Sequence, residues 1–201
     1  NKNLAPETID SYELGLNFRP RHYLQTTFNL FTYQAKDLIE LRPSTGGNQA
    51  GNARDQEGYG FEWGIKWKLN KQLRFNANLA WQRSHNSDTK NATADAPGRQ
   101  FMLNSYWKLA PQWLISSQVN WVGDRVRAAS DLRDNIADYT LVNLVLKRRH
   151  LYKNLDITFG VRNAFDRDAR EPSSTSGSFM PVADDFPLAG RSFWAEVRYQ
   201  L

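Results

Sequence analysis

Apolar and polar residues alternate one by one through segment after segment of this chain, and nothing else in the sequence constrains the fold as tightly. A two-residue period places one kind of side chain on one face only if the backbone runs as a β-strand. Tyr12, Leu14, Leu16 and Phe18 alternate with Ser11, Glu13, Gly15 and Asn17. Tyr59, Phe61, Trp63, Ile65, Trp67 and Leu69 alternate with Gly58, Gly60, Glu62, Gly64, Lys66 and Lys68. The same rhythm runs through 73–82, 155–162 and 192–201, and segments around 23–34, 99–109, 112–123 and 138–149 bring the strands to nine. The pattern weakens in 138–149, where Val142, Leu144 and Leu146 share one face but Leu141 and Val145 fall on the other. No helix is needed anywhere.

The connections alternate as well. Short turns fall near 19–22, 70–72, 110–112 and 149–154, and long polar stretches near 42–55, 84–98, 124–137 and 166–190. Tight turns at one end and long loops at the other are the habit of outer-membrane barrels. The chain has seven Trp, eight Tyr and eleven Phe, and their placement fits two girdles. Tyr59, Phe61, Trp81 and Trp121 lie toward the long loops, and Trp67, Trp107 and Trp113 toward the short turns. Aromatic rings favour the two membrane–water interfaces. A lumen explains why the opposite face is polar and glycine-rich. The apolar runs are too short for a transmembrane helix, which does not bear on strands that cross a membrane.

Reactive chemistry is sparse. The net charge is +5, yet the basic residues form no footprint for nucleic acid. There is no cysteine, and His22, His85 and His150 have no partners at metal-ligand spacing, so we expect no metal site and no cofactor. No phosphate loop and no catalytic constellation stands out, and we expect no enzyme. Glu13 and Glu62 fall on the lumen face. They read either as solvated lumen charges or as partners of cations on a body filling the lumen, since buried carboxylates need partners. The start at Asn1-Lys2-Asn3 leads us to expect a piece of a longer protein.

With strands and loops placed, a set of short motifs resembles the TonB-dependent outer-membrane receptors. Leu4-Ala5-Pro6-Glu7 followed by Tyr12-Glu13-Leu14-Gly15 resembles a stretch of that family, as does Phe31-Thr32-Tyr33 followed by Asp37-Leu38-Ile39. Asn52 with Gly58-Tyr59-Gly60-Phe61-Glu62, Ala96-Pro97, Val161-Arg162-Asn163-Ala164-Phe165-Asp166 and Pro187-Leu188-Ala189-Gly190-Arg191-Ser192-Phe193 continue the series in the family's order. The resemblance runs from residue 4 to the end. One departure is the C-terminus, Tyr199-Gln200-Leu201, where family members usually end in Phe.

The resemblance implies an all-β fold: an antiparallel transmembrane β-barrel of about 22 strands around an N-terminal plug. Residues 1–201 would be its C-terminal nine strands, without the plug or the TonB-binding segment. It implies an outer-membrane active transporter for a ferric siderophore or similar scarce nutrient; cobalamin, haem and other metal chelates stay open. The partners implied are outer-membrane lipid, the plug, and TonB, ExbB and ExbD reached through the N-terminal region. Glu13 and Glu62 match barrel glutamates that pair with plug arginines. Arg125, Arg127 and Arg133, in a long loop, are expected to attract an anionic ligand. A passive porin or barrel adhesin, or a soluble sheet-based binding module, would share the strand pattern without the plug lock.

Overall fold

The computed structural model describes residues 1–44, 47–94, 96–127, 131–173 and 184–200. Leu201, with its departure from the family's C-terminal residue, lies outside them.

The alternating segments become β1 (Thr8–Arg21), β2 (Leu24–Ser44), β3 (Gly47–Lys68), β4 (Leu73–Asn86), β5 (Pro97–Ala110), β6 (Trp113–Arg125), β7 (Tyr139–Tyr152) and β8 (Leu155–Arg162). Two short strands follow, β9 (Arg170–Glu171) and β10 (Phe186–Pro187), then β11 (Ser192–Tyr199). One nine-stranded sheet runs β1-β2-β3-β4-β5-β6-β7-β8-β11, with every neighbouring pair antiparallel. β1 and β11 are its two edges, so the sheet is open.

Register carries the alternation from strand to strand. Phe61 stands opposite Leu30 on one side and Trp81 on the other, while Glu62 stands opposite Asn29 and Ala80. One face therefore collects leucines and rings, the other Asn, Gly, Thr and charge. On the apolar face Tyr12 is 75%, Leu14 69% and Leu16 59% exposed, and the only buried hydrophobic residues among those described are Ala35, Ile136, Tyr139 and Ala169. A water-soluble sheet of this size would hide that face; a barrel wall turns it to lipid.

The rings cluster at two levels. Trp81 stacks on Phe61 at 5.8 Å and meets Tyr59 edge-on at 5.7 Å, toward the long connections. Trp67 lies 6.3 Å from Phe75 near the short turns. Tyr59 to Trp67 spans eight residues, about 27 Å along a strand, comparable to the roughly 25 Å apolar band of an outer-membrane barrel.

Two sequence expectations change, and one irregularity gains an explanation. Residues 42–44 and 47–55 of the polar stretch 42–55 are strand, not loop: they belong to β2 and β3, of 21 and 22 residues, which stay paired well beyond the roughly 10 residues needed to cross. Their register shifts between Ala35 and Leu38 and again at Ile39. Asp37 takes a φ of 58° there, and its N–H donates to Asp55 Oδ1 at 3.0 Å. Such a bulge bends a strand and strengthens its twist. Second, the stretch 166–190 contains the β9–β10 ribbon, where Glu171 pairs with Phe186 and Arg170 with Pro187; a two-residue strand has too short a pattern to read. Third, the uneven pattern in β7 has a physical account. Leu141 lies opposite Asn120 on the polar face. Val145 lies opposite Gly160, which in turn faces Trp194. The Trp194 indole fills the space that a Gly160 side chain would occupy, so Val145 joins an apolar strip on the lumen side.

Candidate functional site

The polar face is the concave one, and it holds a broad hollow of about 960 Å³ lined by residues of β1 through β7, among them Glu13, Gly15, Asn29, Glu62, Asn78 and Gln100. Glu13 reaches this face because Tyr12 and Leu14 on either side of it go to lipid; Glu62 does so between Phe61 and Trp63. Glu13 is opposite Phe31, and Glu62 is opposite Asn29, two residues along β2. The structure thus brings both glutamates to one wall, two strands apart. Both are exposed, and neither makes an ion pair or side-chain hydrogen bond among the described residues.

The loop arginines sit at the other end of β6. Arg125 is 2% exposed. Its Nη1 donates to the Arg170 carbonyl at 2.8 Å and its Nη2 to the Ala137 carbonyl at 2.6 Å. The guanidinium lies 4.9 Å over the Tyr139 ring and 3.4 Å from Glu171 Oε2. Arg127 grips Asp185 with both terminal nitrogens. Arg133 donates to both oxygens of Asp131 and, at 3.3 Å, to Asp185. The Arg127 guanidinium holds the Asp185 carboxyl far below the usual carboxylate range, and hydrogen bonding from Arg133 lowers Asp131. The three arginines therefore tie the loop after β6 to the ribbon after β8. Their charge is balanced by Asp131, Asp185 and Glu171, so an anion meets it only by displacing a carboxylate.

Several residues with defined structural roles escaped the sequence reading, although its motifs contained them. Asn52 donates to the Asp37 carbonyl at 2.6 Å and exchanges two hydrogen bonds with Ala5, at 2.8 and 3.0 Å. Glu7 accepts the Ile39 N–H at 2.6 Å. The Ala5-Pro6-Glu7 segment is thereby strapped to the β2–β3 hairpin. Asn163, 4% exposed and with a φ of 47°, bonds the Arg167 amide and carbonyl, both at 2.9 Å, and reaches the Ala189 carbonyl at 3.2 Å. Asp166 accepts the Arg191 N–H at 2.8 Å. Two motifs far apart in the chain thus meet around one turn. Their residue types were visible as motifs, but which backbone groups they serve depends on long-range contacts.

An open antiparallel sheet with a lipid-facing apolar convex side, a polar concave side and girdled aromatics is a segment of an outer-membrane β-barrel wall. The family described as TonB dependent receptor-like, beta-barrel matches residues 1–164, and the chain belongs to that family of outer-membrane proteins. The metal-pseudopaline receptor CntO of Pseudomonas aeruginosa is 29% identical over 184 residues, covering 86% of this chain. The chain spans 25% of that relative's length. Among solved structures, the copper transporter OprC superimposes with a TM-score of 0.79 at 22% identity, over 98% of this chain and 33% of that one. The ferric enterobactin receptor PfeA of Pseudomonas aeruginosa gives 0.77 at 23% identity, over 98% and 32%. At those identities the superpositions establish the fold alone.

Proposed function

We propose that this chain supplies the last nine barrel strands of a TonB-dependent active transporter that imports a ferric siderophore or a similar metal chelate. The observation that carries the reading is the concave wall of a family-matched barrel segment, on which Glu13 and Glu62 stand without partners among the described residues. A wide lumen of this kind needs a plug, and carboxylates covered by one need cations. In this proposal Glu13 and Glu62 lock an N-terminal plug through its arginines. TonB, ExbB and ExbD release it through a segment outside these residues. The resemblance to a metal-pseudopaline receptor favours a metal chelate and extends the candidates beyond iron. Ligand contact by Arg125, Arg127 and Arg133 belongs to the same proposal; Arg133, whose side chain is 24% exposed against 1% and 7% for the others, is the one to test first.

The test is uptake of radioactive iron, zinc, nickel, cobalt and copper chelates by cells with and without the full-length gene. One chelate should lose its uptake on deletion, and a protonophore should abolish the same uptake in intact cells. Import insensitive to the protonophore would overturn the active-transport reading. Glu13→Ala with Glu62→Ala should admit bulky antibiotics that the unaltered receptor excludes.

A further inference from the structure

We infer that the short-turn end of the lumen wall is a cationic seat for a carboxylate-bearing surface of the plug; this rests on the plugged-receptor reading above. The lumen face of β1–β5 carries Arg19, Lys66, Lys68, Arg74 and Lys108 at this end. All five are exposed, and none forms an ion pair among the described residues. Arg19, Lys66, Lys68 and Arg74 line a groove of about 490 Å³ together with Gln25 and Tyr106. Lys68 and Arg74 are direct partners on the β3–β4 ladder, and like charges directly opposite each other destabilise a sheet. Lys66 lies one step along the same face. Arg19 bonds only a neutral group, Gln25 Oε1, at 3.0 Å. Arg74 lies 5.4 Å over the Tyr106 ring, which orients its charge without neutralising it.

Further along the same lumen face, on β7 to β11, two cations near the short turns do have carboxylate partners. Lys147 has Asp156 at 3.3 Å, and Arg198 has Glu196 at 3.2 Å. On β1–β5 the carboxylates of the lumen face, Glu13 and Glu62, stand higher up the wall and reach none of the five. On β1–β5 the wall is thus segregated, acidic at mid-height and basic near the short turns. Lipid headgroups cannot supply the missing charge, because at this level the convex side presents Trp67, Phe75 and Trp107 while the cations point inward. A passing anionic ligand would neutralise Lys68 and Arg74 only while bound, whereas a resident partner offsets their repulsion in every folded molecule. The plug is the resident body, and its surface facing this seat should be acidic.

Zero-length carbodiimide coupling of the purified full-length receptor in detergent tests this directly. The reagent activates a carboxylate, and only an amine already in contact displaces it to leave an amide. Lys147–Asp156 and Lys90–Glu57, at 3.3 and 2.7 Å, are internal controls. Peptide mass spectrometry should find Lys66, Lys68 or Lys108 coupled to Asp or Glu of the N-terminal region, with yields comparable to the controls. Control amides with all three lysines uncoupled would overturn the seat, even if protonophore-sensitive uptake upheld the plugged receptor. Coupling to a different polypeptide would also overturn it. Absence of energised uptake would remove the underlying reading instead, whatever the cross-links show.

Discussion

Asp185 is the single carboxylate most worth removing. It accepts from Arg127 through both its oxygens, from Arg133 at 3.3 Å, and from the backbone N–H and hydroxyl of Ser173 at 3.1 and 3.3 Å. Asp185→Asn keeps the volume, removes the charge and turns a donor toward a guanidinium. Removing one partner of a buried ion pair costs about 3–5 kcal/mol. The cluster lies against solvent, so the low end applies, about 3 kcal/mol, or roughly 100-fold in the equilibrium for local opening. The effect should be local, because Asp185 joins a loop to a ribbon and not strand to strand. Hydrogen exchange of the Ser173 amide in the full-length protein at neutral pH should therefore accelerate by about two orders of magnitude, while amides of β4–β6 stay unchanged. The pH dependence has a definite sign. Arg127 depresses the Asp185 pKa in the folded state. Its contribution is fully present above the unfolded value of about 4 and is lost as pH falls toward the folded one. The unaltered loops should hold at mildly acidic pH and loosen only in strong acid, and Asp185→Asn should keep only the part due to Asp131. Acceleration of less than about threefold, under 1 kcal/mol, would refute the assignment of Asp185 as the tie between the loops.

Two neighbouring residues test which face meets lipid. Leu103 pairs with Ala77 and Val119 on the apolar face, whereas Met102 lines the lumen hollow. Leu103→Arg should cost about 2–4 kcal/mol near mid-membrane and Met102→Arg little, measured by urea unfolding of the full-length receptor in liposomes; equal costs would contradict the assignment of faces. Gly160→Val would drive methyl groups into the Trp194 indole and should cost about 1–3 kcal/mol by overpacking, seen as a lower temperature for loss of the folded band in unheated gel electrophoresis. The double variant Gly160→Val, Trp194→Ala should recover part of that loss.

Most of the barrel wall was legible because its rule is local. Alternation in 58–69 assigns Trp63 to lipid and Glu62 to the lumen whatever the neighbouring strands do, and the nine main strands follow from that rule. The rule failed where side-chain polarity stopped reporting burial. Beyond the membrane both faces of the paired β2 and β3 are wet, so residues 42–44 and 47–55 lose the pattern while keeping the strand. Leu141 and Val145 break the pattern because the lumen face of β7 meets other side chains as well as water. The candidate site divides in the same way. Glu13 and Glu62 could be assigned to one face from their own strands. The partners of Arg125, Arg127 and Arg133 lie up to 58 residues away, and no local spacing announces Asp185.

The sequence by itself determined which residues face lipid and which face the lumen, because a strand turns each successive side chain to the opposite side. It also determined four neighbouring pairs, β1–β2, β3–β4, β5–β6 and β7–β8, because short turns force antiparallel neighbours. Tertiary structure alone decided the relative height of residues on different strands, and with it every charge contact across the sheet. That height is set by register, which is a property of pairs of strands. Register places Lys68 against Arg74 and brings Glu13 and Glu62 to one wall.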